Sequence, residues 1–243
     1  MIGHSTRFRA PFITARALIE GGAIGKPLGI DGHFIAGATQ RDEVPQDFWR
    51  FKEGAAGHGY VVNFGCHYID TSRAMLGVDP VAVSGHVGNR FSSGVIPEDH
   101  YVITALCDDD LTISLVQYGT LQNYRVPTSG YAIFGSEGMI EAYWRPDRVQ
   151  ISRAGEKPEQ VEIDQSLYDA GAWGREHNGF YACIVNDTEE PVTGEDAMRN
   201  IEWATAAYLS SERRCWVDLP LCDEDCEYCG PCLEETLTPG NGR

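Results

Sequence analysis

Asn63, His67 and Asp70 stand in the run Asn-Phe-Gly-Cys-His-Tyr-Ile-Asp, at steps of four and three residues. In an α-helix those steps put all three side chains on one face. An imidazole with an amide one turn before it and a carboxylate one turn after it is a general acid/base whose orientation its neighbours fix. A polar helix face carrying a hydrogen-bonded histidine has the same spacing, so spacing by itself leaves both readings open. Around this trio we place Arg7, Trp49, Arg50 and His177 as substrate-side candidates. Arg7 and Arg9 flank Phe8 and can hold an anionic or hydroxylated ligand, though arginines near a terminus are also commonly solvated. Trp49-Arg50 can stack on a sugar ring or simply anchor its loop. His177, with Asn178, opens an amphipathic helix and can equally cap it.

Four of the eight cysteines, Cys222, Cys226, Cys229 and Cys232, crowd into eleven residues. Their thiolates are close enough to surround a Zn²⁺ ion or an iron–sulfur cluster. A redox-sensitive flexible tail is the alternative. Cys66, Cys107, Cys183 and Cys215 are scattered through apolar segments, as small buried thiols are. That distribution is not a secreted disulfide framework, and a reducing, cytoplasmic compartment is expected.

The elements that must position these residues follow from periodicity. Residues 1–6 read as a short strand. A helix starts at Pro11, which suits a first turn, and ends at Gly21-Gly22. Leu28 to Ala36 reads as a strand, 37–59 as a polar connection, and Asn63 to Leu76 as a helix closed by Gly77. Alternating residues then predict strands over 81–87, 101–107, 111–115, 131–134, 139–143, 149–152 and 161–163, with Asp108-Asp109-Asp110 as a hairpin loop. Helices are expected over 171–187 and 194–212, the second with a capping signal at Thr193 and Asp196, and a short strand over 215–219. This order predicts an α+β fold: an open, mainly antiparallel sheet with helices on one face, and the other face free for self-association. The folded domain is expected over 1–221, with 222–243 as an acidic, Cys-rich tail.

The 243 residues are 42% hydrophobic and 23% charged, a globular balance, and the formal net charge is −17. Such acidity argues against binding nucleic acid or an anionic membrane through a basic surface. No apolar run is long enough to span a bilayer, and the first residues lack a signal-peptide layout. No Gly-x-Gly-x-x-Gly follows a strand, and Gly21-Gly22-Ala23-Ile24-Gly25 follows a helix instead. Pyrophosphate needs the opposite order, a glycine turn leading into a helix N-terminus.

His4-Ser5-Thr6-Arg7-Phe8, Gly21 to Pro27, Asn63 to Asp70, Gly135-Ser136-Glu137-Gly138 and Pro191 to Ala197, in this order, resemble the C-terminal domain of Gfo/Idh/MocA oxidoreductases over roughly residues 1–221. Asn63 to Asp70 is similar to the family motif (Asp/Asn)-x-x-x-His-x-x-Asp. The resemblance implies a substrate-binding and dimerising domain for a sugar or polyol such as inositol. Family members pair it with a Rossmann domain that binds NAD or NADP and supplies a Lys from a Glu-Lys-Pro motif. His67 then corresponds to the catalytic histidine, taking the substrate hydroxyl proton as hydride leaves. Asp70 corresponds to an acid with an orienting role. Asn63 stands where polyol dehydrogenases often carry Asp, and an amide cannot relay a proton. With no dinucleotide unit in these residues, the chain alone is expected to be inactive without a Rossmann domain, whether it is cut from a longer chain or completed by a separate Rossmann partner. The rival expectation is a non-catalytic binding or oligomerisation module derived from the family.

Overall fold

The computed structural model describes residues 1–37, 59–90, 98–120, 129–144 and 146–222. A 3₁₀ turn, Ser5–Phe8, leads into helix α1 (Ala10–Glu20), which has Pro11 in its first turn, where no intrahelical N–H is needed. Strand β1 (Pro27–Gly37) follows. A π-helical stretch, Val61–Gly65, then runs into α2 (Cys66–Leu76), whose C-cap Gly77 has φ 67°, a left-handed conformation glycine adopts without strain. Next come β2 (Pro80–Gly88), β3 (His100–Cys107), β4 (Thr112–Thr120), β5 (Gly130–Gly135), β6 (Gly138–Tyr143), β7 (Arg148–Arg153) and β8 (Glu159–Val161). The chain continues through α3 (Ser166–Asp169), α4 (Gly171–Asn186), α5 (Gly194–Arg213) and β9 (Val217–Asp218).

The nine strands form a single sheet in the order β8-β7-β6-β5-β1-β4-β3-β2-β9. Every neighbouring pair is antiparallel except β1 with β4. The α+β expectation holds, with one parallel pair inside a mainly antiparallel sheet. Alternation decides which face is covered. Tyr101, Ile103 and Ala105 of β3, with Ile113 and Leu115 of β4, point to the helices and are fully buried. Val102, Thr104, Val116 and Tyr118 point the other way. Helix α2 packs on β1 and β4, α5 on β2 and β9, and α1 on β6 and β7.

The structure departs from the periodicity in four places. Residues 1–6 pair with no strand among the described residues; the Ile2 amide instead donates to the Val192 carbonyl at 3.0 Å. A strand needs a ladder neighbour, and this end of the chain lies against the start of α5 instead. The expected helix over 63–76 opens as a π-helical stretch. Helix α4 packs on the Ser5–Phe8 turn rather than on the sheet, leaving Tyr181, Ile184 and Val185 60–69% exposed. The strand expected at 161–163 lies two residues earlier, at Glu159–Val161, and the one expected at 215–219 shortens to Val217–Asp218.

The Thr193–Asp196 capping box is present: the Asp196 amide donates to Thr193 Oγ1 at 3.0 Å, and the Thr193 amide donates to Asp196 Oδ2 at 3.3 Å. No described helix is long and apolar enough to cross a membrane.

Candidate functional site

His67 sits in the first turn of α2, with its neighbour Cys66 half-buried beside it. Its Nδ1 lies 3.4 Å from Nδ1 of His4, and the two rings meet edge to face at 5.3 Å. His4 is buried, and its other nitrogen, Nε2, lies 3.2 Å from Asn200 Nδ2 on α5. Asn200 is fully buried and its amide orientation is fixed by chemistry. Arg73 Nη1, which can only donate, meets Oδ1 at 2.7 Å, and Nδ2 donates to Asp70 Oδ1 at 3.0 Å. Arg73 is held in turn by Asp79, with Nε donating at 2.7 Å.

Asp70 has no exposed surface, and both its oxygens are taken. Arg7 grips it bidentately, with Nε donating to Oδ2 at 2.7 Å and Nη2 to Oδ1. The Nη1 of Arg7 donates to the Pro191 carbonyl at 3.1 Å. Arg7, expected to line a substrate pocket, thus holds a buried carboxylate while also lining two surface cavities. Among the described residues, the hydrogen bonds that link Asp70 to His67 run through Asn200 and His4. Asn63 lies in the π-helical stretch, where the i→i+5 turn breaks the spacing of four that would stack it on His67. No hydrogen bond joins its side chain to His67 among the described residues.

Both histidines are driven towards the neutral form. The His67 pKa falls to about 4, first by burial and then by His4, with Asp70 opposing. The His4 pKa is also lowered by burial, again against Asp70. The Arg9 charge, stacked 3.5 Å from the Trp144 ring centroid, adds to the effect on His67. Burial, with Asp70, pushes the Cys66 thiol up to about 12, so it is not a thiolate nucleophile near neutrality.

His177 lies on α4 with its ring exposed and donates from Nδ1 to the Trp173 carbonyl at 2.8 Å. Beside it, Glu176 is buried with Oε1 unpaired, and burial followed by the Asp70 charge raises its pKa. Trp49 and Arg50 lie outside the described residues, as do Cys226, Cys229 and Cys232; Cys222 is described and exposed. The ligand atoms of His4, Cys66 and His67 lie within 4.8 Å of one another. A metal on His4 Nδ1 would need His4 Nε2–H to donate outward, and that nitrogen faces the donor amide of Asn200, so the surroundings oppose a metal. Two surface cavities of about 460 and 410 Å³ meet at Arg7, Arg16 and Pro191, and His67 lines neither.

Sequence reasoning missed His4, Arg73 and Asn200. Asn200 left one trace: it lies three residues after Ala197 and four before Ala204, a polar residue on the apolar stripe of α5. His4 carried no local signal, because its partner is 63 residues away.

A family model described as the GFO/IDH/MocA C-terminal domain matches residues 12–141. Over 211 residues the chain is 28% identical to a D-xylose 1-dehydrogenase [NADP(+)] of Haloarcula marismortui, covering 84% of this chain and 56% of that protein. Its fold is similar to that of an aldose-aldose oxidoreductase from Caulobacter crescentus, solved with glycerol. There the TM-score is 0.77 and the identity 21%, over 90% of this chain and 63% of the other. A levoglucosan dehydrogenase in complex with NADH and levoglucosan gives a TM-score of 0.77 at 20% identity, over 91% and 66% of the two chains. This chain thus spans between about half and two thirds of the length of these relatives. It belongs to the GFO/IDH/MocA family, through that family's C-terminal domain.

Proposed function

We infer that this chain is the substrate-binding and self-associating part of an NAD(P)-dependent oxidoreductase acting on a sugar or polyol. The observation that carries the reading is His67: a half-buried, neutral imidazole at the position of the family's helix motif, aligned by His4 from behind. Its Nε2, the ring nitrogen not turned to His4, is left to meet a substrate oxygen. A neutral histidine so placed suits hydride transfer, in which the substrate oxygen gains or loses a proton as the adjacent carbon exchanges hydride with a nicotinamide. The xylose and levoglucosan dehydrogenases among the relatives support a polyhydroxylated substrate. Among the described residues no glycine turn leads from a strand into a helix, so the dinucleotide is assigned to a Rossmann unit outside these residues. The uncovered side chains of α4, among them Tyr181, Ile184 and Val185, offer that unit an apolar seat.

The test has two arms. NAD(H) and NADP(H) are titrated into the chain by calorimetry, and sugar oxidation is then assayed with a Rossmann-domain polypeptide added. The expected outcome is no tight dinucleotide binding by the chain alone and sugar-dependent reduction in the mixture, falling about 10²–10⁴-fold in His67→Gln. Tight dinucleotide binding by the chain alone overturns the architecture. A folded mixture that never turns over sugar favours the non-catalytic module, which Asn63 in place of an acid also suits.

A further inference from the structure

The hydrogen bonds behind His67 fix where its proton sits. Arg73 can only donate, so the Asn200 atom facing it is the carbonyl oxygen, Oδ1, at 2.7 Å. The Asp70 carboxylate, gripped by Arg7, can only accept, so the Asn200 atom facing it is the amide nitrogen, Nδ2, at 3.0 Å. The amide therefore cannot be turned over. Its second hydrogen points to His4 Nε2 at 3.2 Å, which makes that ring nitrogen an acceptor. A neutral His4 must then carry its hydrogen on Nδ1, the atom 3.4 Å from His67 Nδ1. His67 Nδ1 accepts, and the only hydrogen left to the His67 ring is on Nε2. The opposite assignment would set an N–H of His4 against the N–H of a fully buried amide, with the buried partners of Asn200 preventing any rotation that relieves it.

We propose that Asn200 and His4 are positioning residues that hold His67 as the neutral Nε2–H tautomer, so that it meets the substrate oxygen as a hydrogen-bond donor rather than as a proton acceptor. The proposal rests on the reading of His67 as the substrate-facing residue and changes its part in the reaction. In alcohol oxidation NAD(P)⁺ held by a Rossmann unit would accept the hydride from the carbon, and a basic side chain of that unit would take the hydroxyl proton. His67 keeps its own hydrogen and stabilises the oxygen as negative charge develops on it. A neutral imidazole is suited to that task, as a polariser of the carbon–oxygen bond. The lowered pKa values of both histidines agree with a neutral pair.

The tautomers are read directly by long-range ¹H–¹⁵N correlation NMR of the uniformly labelled full chain at pH 7. Assignments come from His4→Gln and His67→Gln. The expected spectrum has His4 protonated at Nδ1 and bare at Nε2, and His67 bare at Nδ1 and protonated at Nε2. Asn200→Asp turns an acceptor towards His4, and its expected effect is to move the His4 hydrogen to Nε2 and the His67 hydrogen to Nδ1. A wild-type His67 protonated at Nδ1, or either ring doubly protonated at pH 7, overturns the proposal. So does a folded Asn200→Asp chain with unchanged tautomers. If that variant does not fold, the wild-type spectrum still decides. The measurement needs neither dinucleotide nor sugar. The expected tautomers in a chain that never supports oxidation would overturn the proposed function and leave this assignment standing. The reverse tautomers in an active mixture would do the opposite.

Discussion

At the scale of single residues, the site rests on a chain of buried and half-buried polar groups, Arg7, Asp70, Asn200, Arg73 and His4, each hydrogen-bonded to another. Asp70 is the group with most at stake, since its carboxylate is fully buried and neutralised by Arg7. Asp70→Asn leaves the Arg7 guanidinium, 13% exposed, with the more distant Asp196 carboxylate, 3.8 Å from Nη1, as its counter-charge, and breaking the buried pair costs up to about 3–5 kcal/mol. Urea unfolding at pH 7.5 is expected to show a loss of that order; an unchanged midpoint would mean the pair is not formed. His67 sets a pH dependence. Its folded pKa of about 4 lies below the unfolded value of 6.5, so the unfolded chain takes up the proton first as pH falls. The contribution is complete above pH 6.5 and drains away between 6.5 and about 4. From pH 7 to pH 5 it amounts to on the order of 2 kcal/mol. His67→Gln lacks it, so wild type should lose more stability than the variant over that interval in matched urea titrations. Equal losses would assign the acid sensitivity elsewhere.

At the scale of elements, two helices must be held at fixed distances for this network to close. α2 carries His67, Asp70 and Arg73, and α5 carries Asn200. The seat of α5 on the sheet depends on Gly85 of β2, where an added Cβ would stand 2.8 Å from the Ala207 carbonyl oxygen and 3.1 Å from its Cα. The Gly85 amide also donates to the Ser210 side-chain Oγ at 2.9 Å, which ties the strand backbone to the helix. Gly85→Ala must lift α5 from β2, at a cost of about 1–3 kcal/mol. Gly194→Ala, at the open first turn of α5 with nothing within 4 Å of the new methyl, is expected to be neutral or stabilising by about 0.4–1 kcal/mol. Thermal melts of the two variants should diverge. If they melt together, close packing at Gly85 is not what seats the helix.

At the scale of the whole molecule, the nine-stranded sheet has helices on one face only among the described residues. Across the other run Val102, Val116, Tyr118 and Phe134, with Val102, Tyr118 and Phe134 each 38–43% exposed. A broad sheet face with apolar residues at its centre is expected to pair with a second copy. Light scattering should then give about twice the 26.8 kDa of one chain. Placing lysines at Val102 and Tyr118 should return the monomer, through buried charge at the interface centre. With a net charge of −17 on each copy, association is also expected to strengthen with added salt. A wild-type monomer at micromolar concentration would refute this use of the face.

Most of the architecture was legible in the sequence, because its signals are local. The α1 ends, the C-terminus of α2, the alternation in β2 to β7 and the Thr193–Asp196 box depend on residues two to four positions apart, and those are the distances at which helices and strands write their periods. His67 was legible as a candidate for the same reason. What surrounds it was not. The π-helical stretch removes Asn63 from its expected register, and backbone periodicity carries no mark of one extra residue per turn. Residues 1–6 and α4 read as strand and sheet-covering helix because their patterns fit, but each pattern specifies only that a face be buried, not against what. His4 and Asn200 are separated by 196 residues, and Arg7 and Asp70 by 63. Only the packing of α2 against α5, with the Ser5–Phe8 turn laid along α2, brings these side chains within hydrogen-bond reach. The sequence by itself determined which residues could do chemistry. The tertiary structure decided that Arg7 holds Asp70, and that an arginine-fixed amide, not a carboxylate, stands behind the histidine pair, because a buried donor or acceptor must be matched by whatever group the fold places against it.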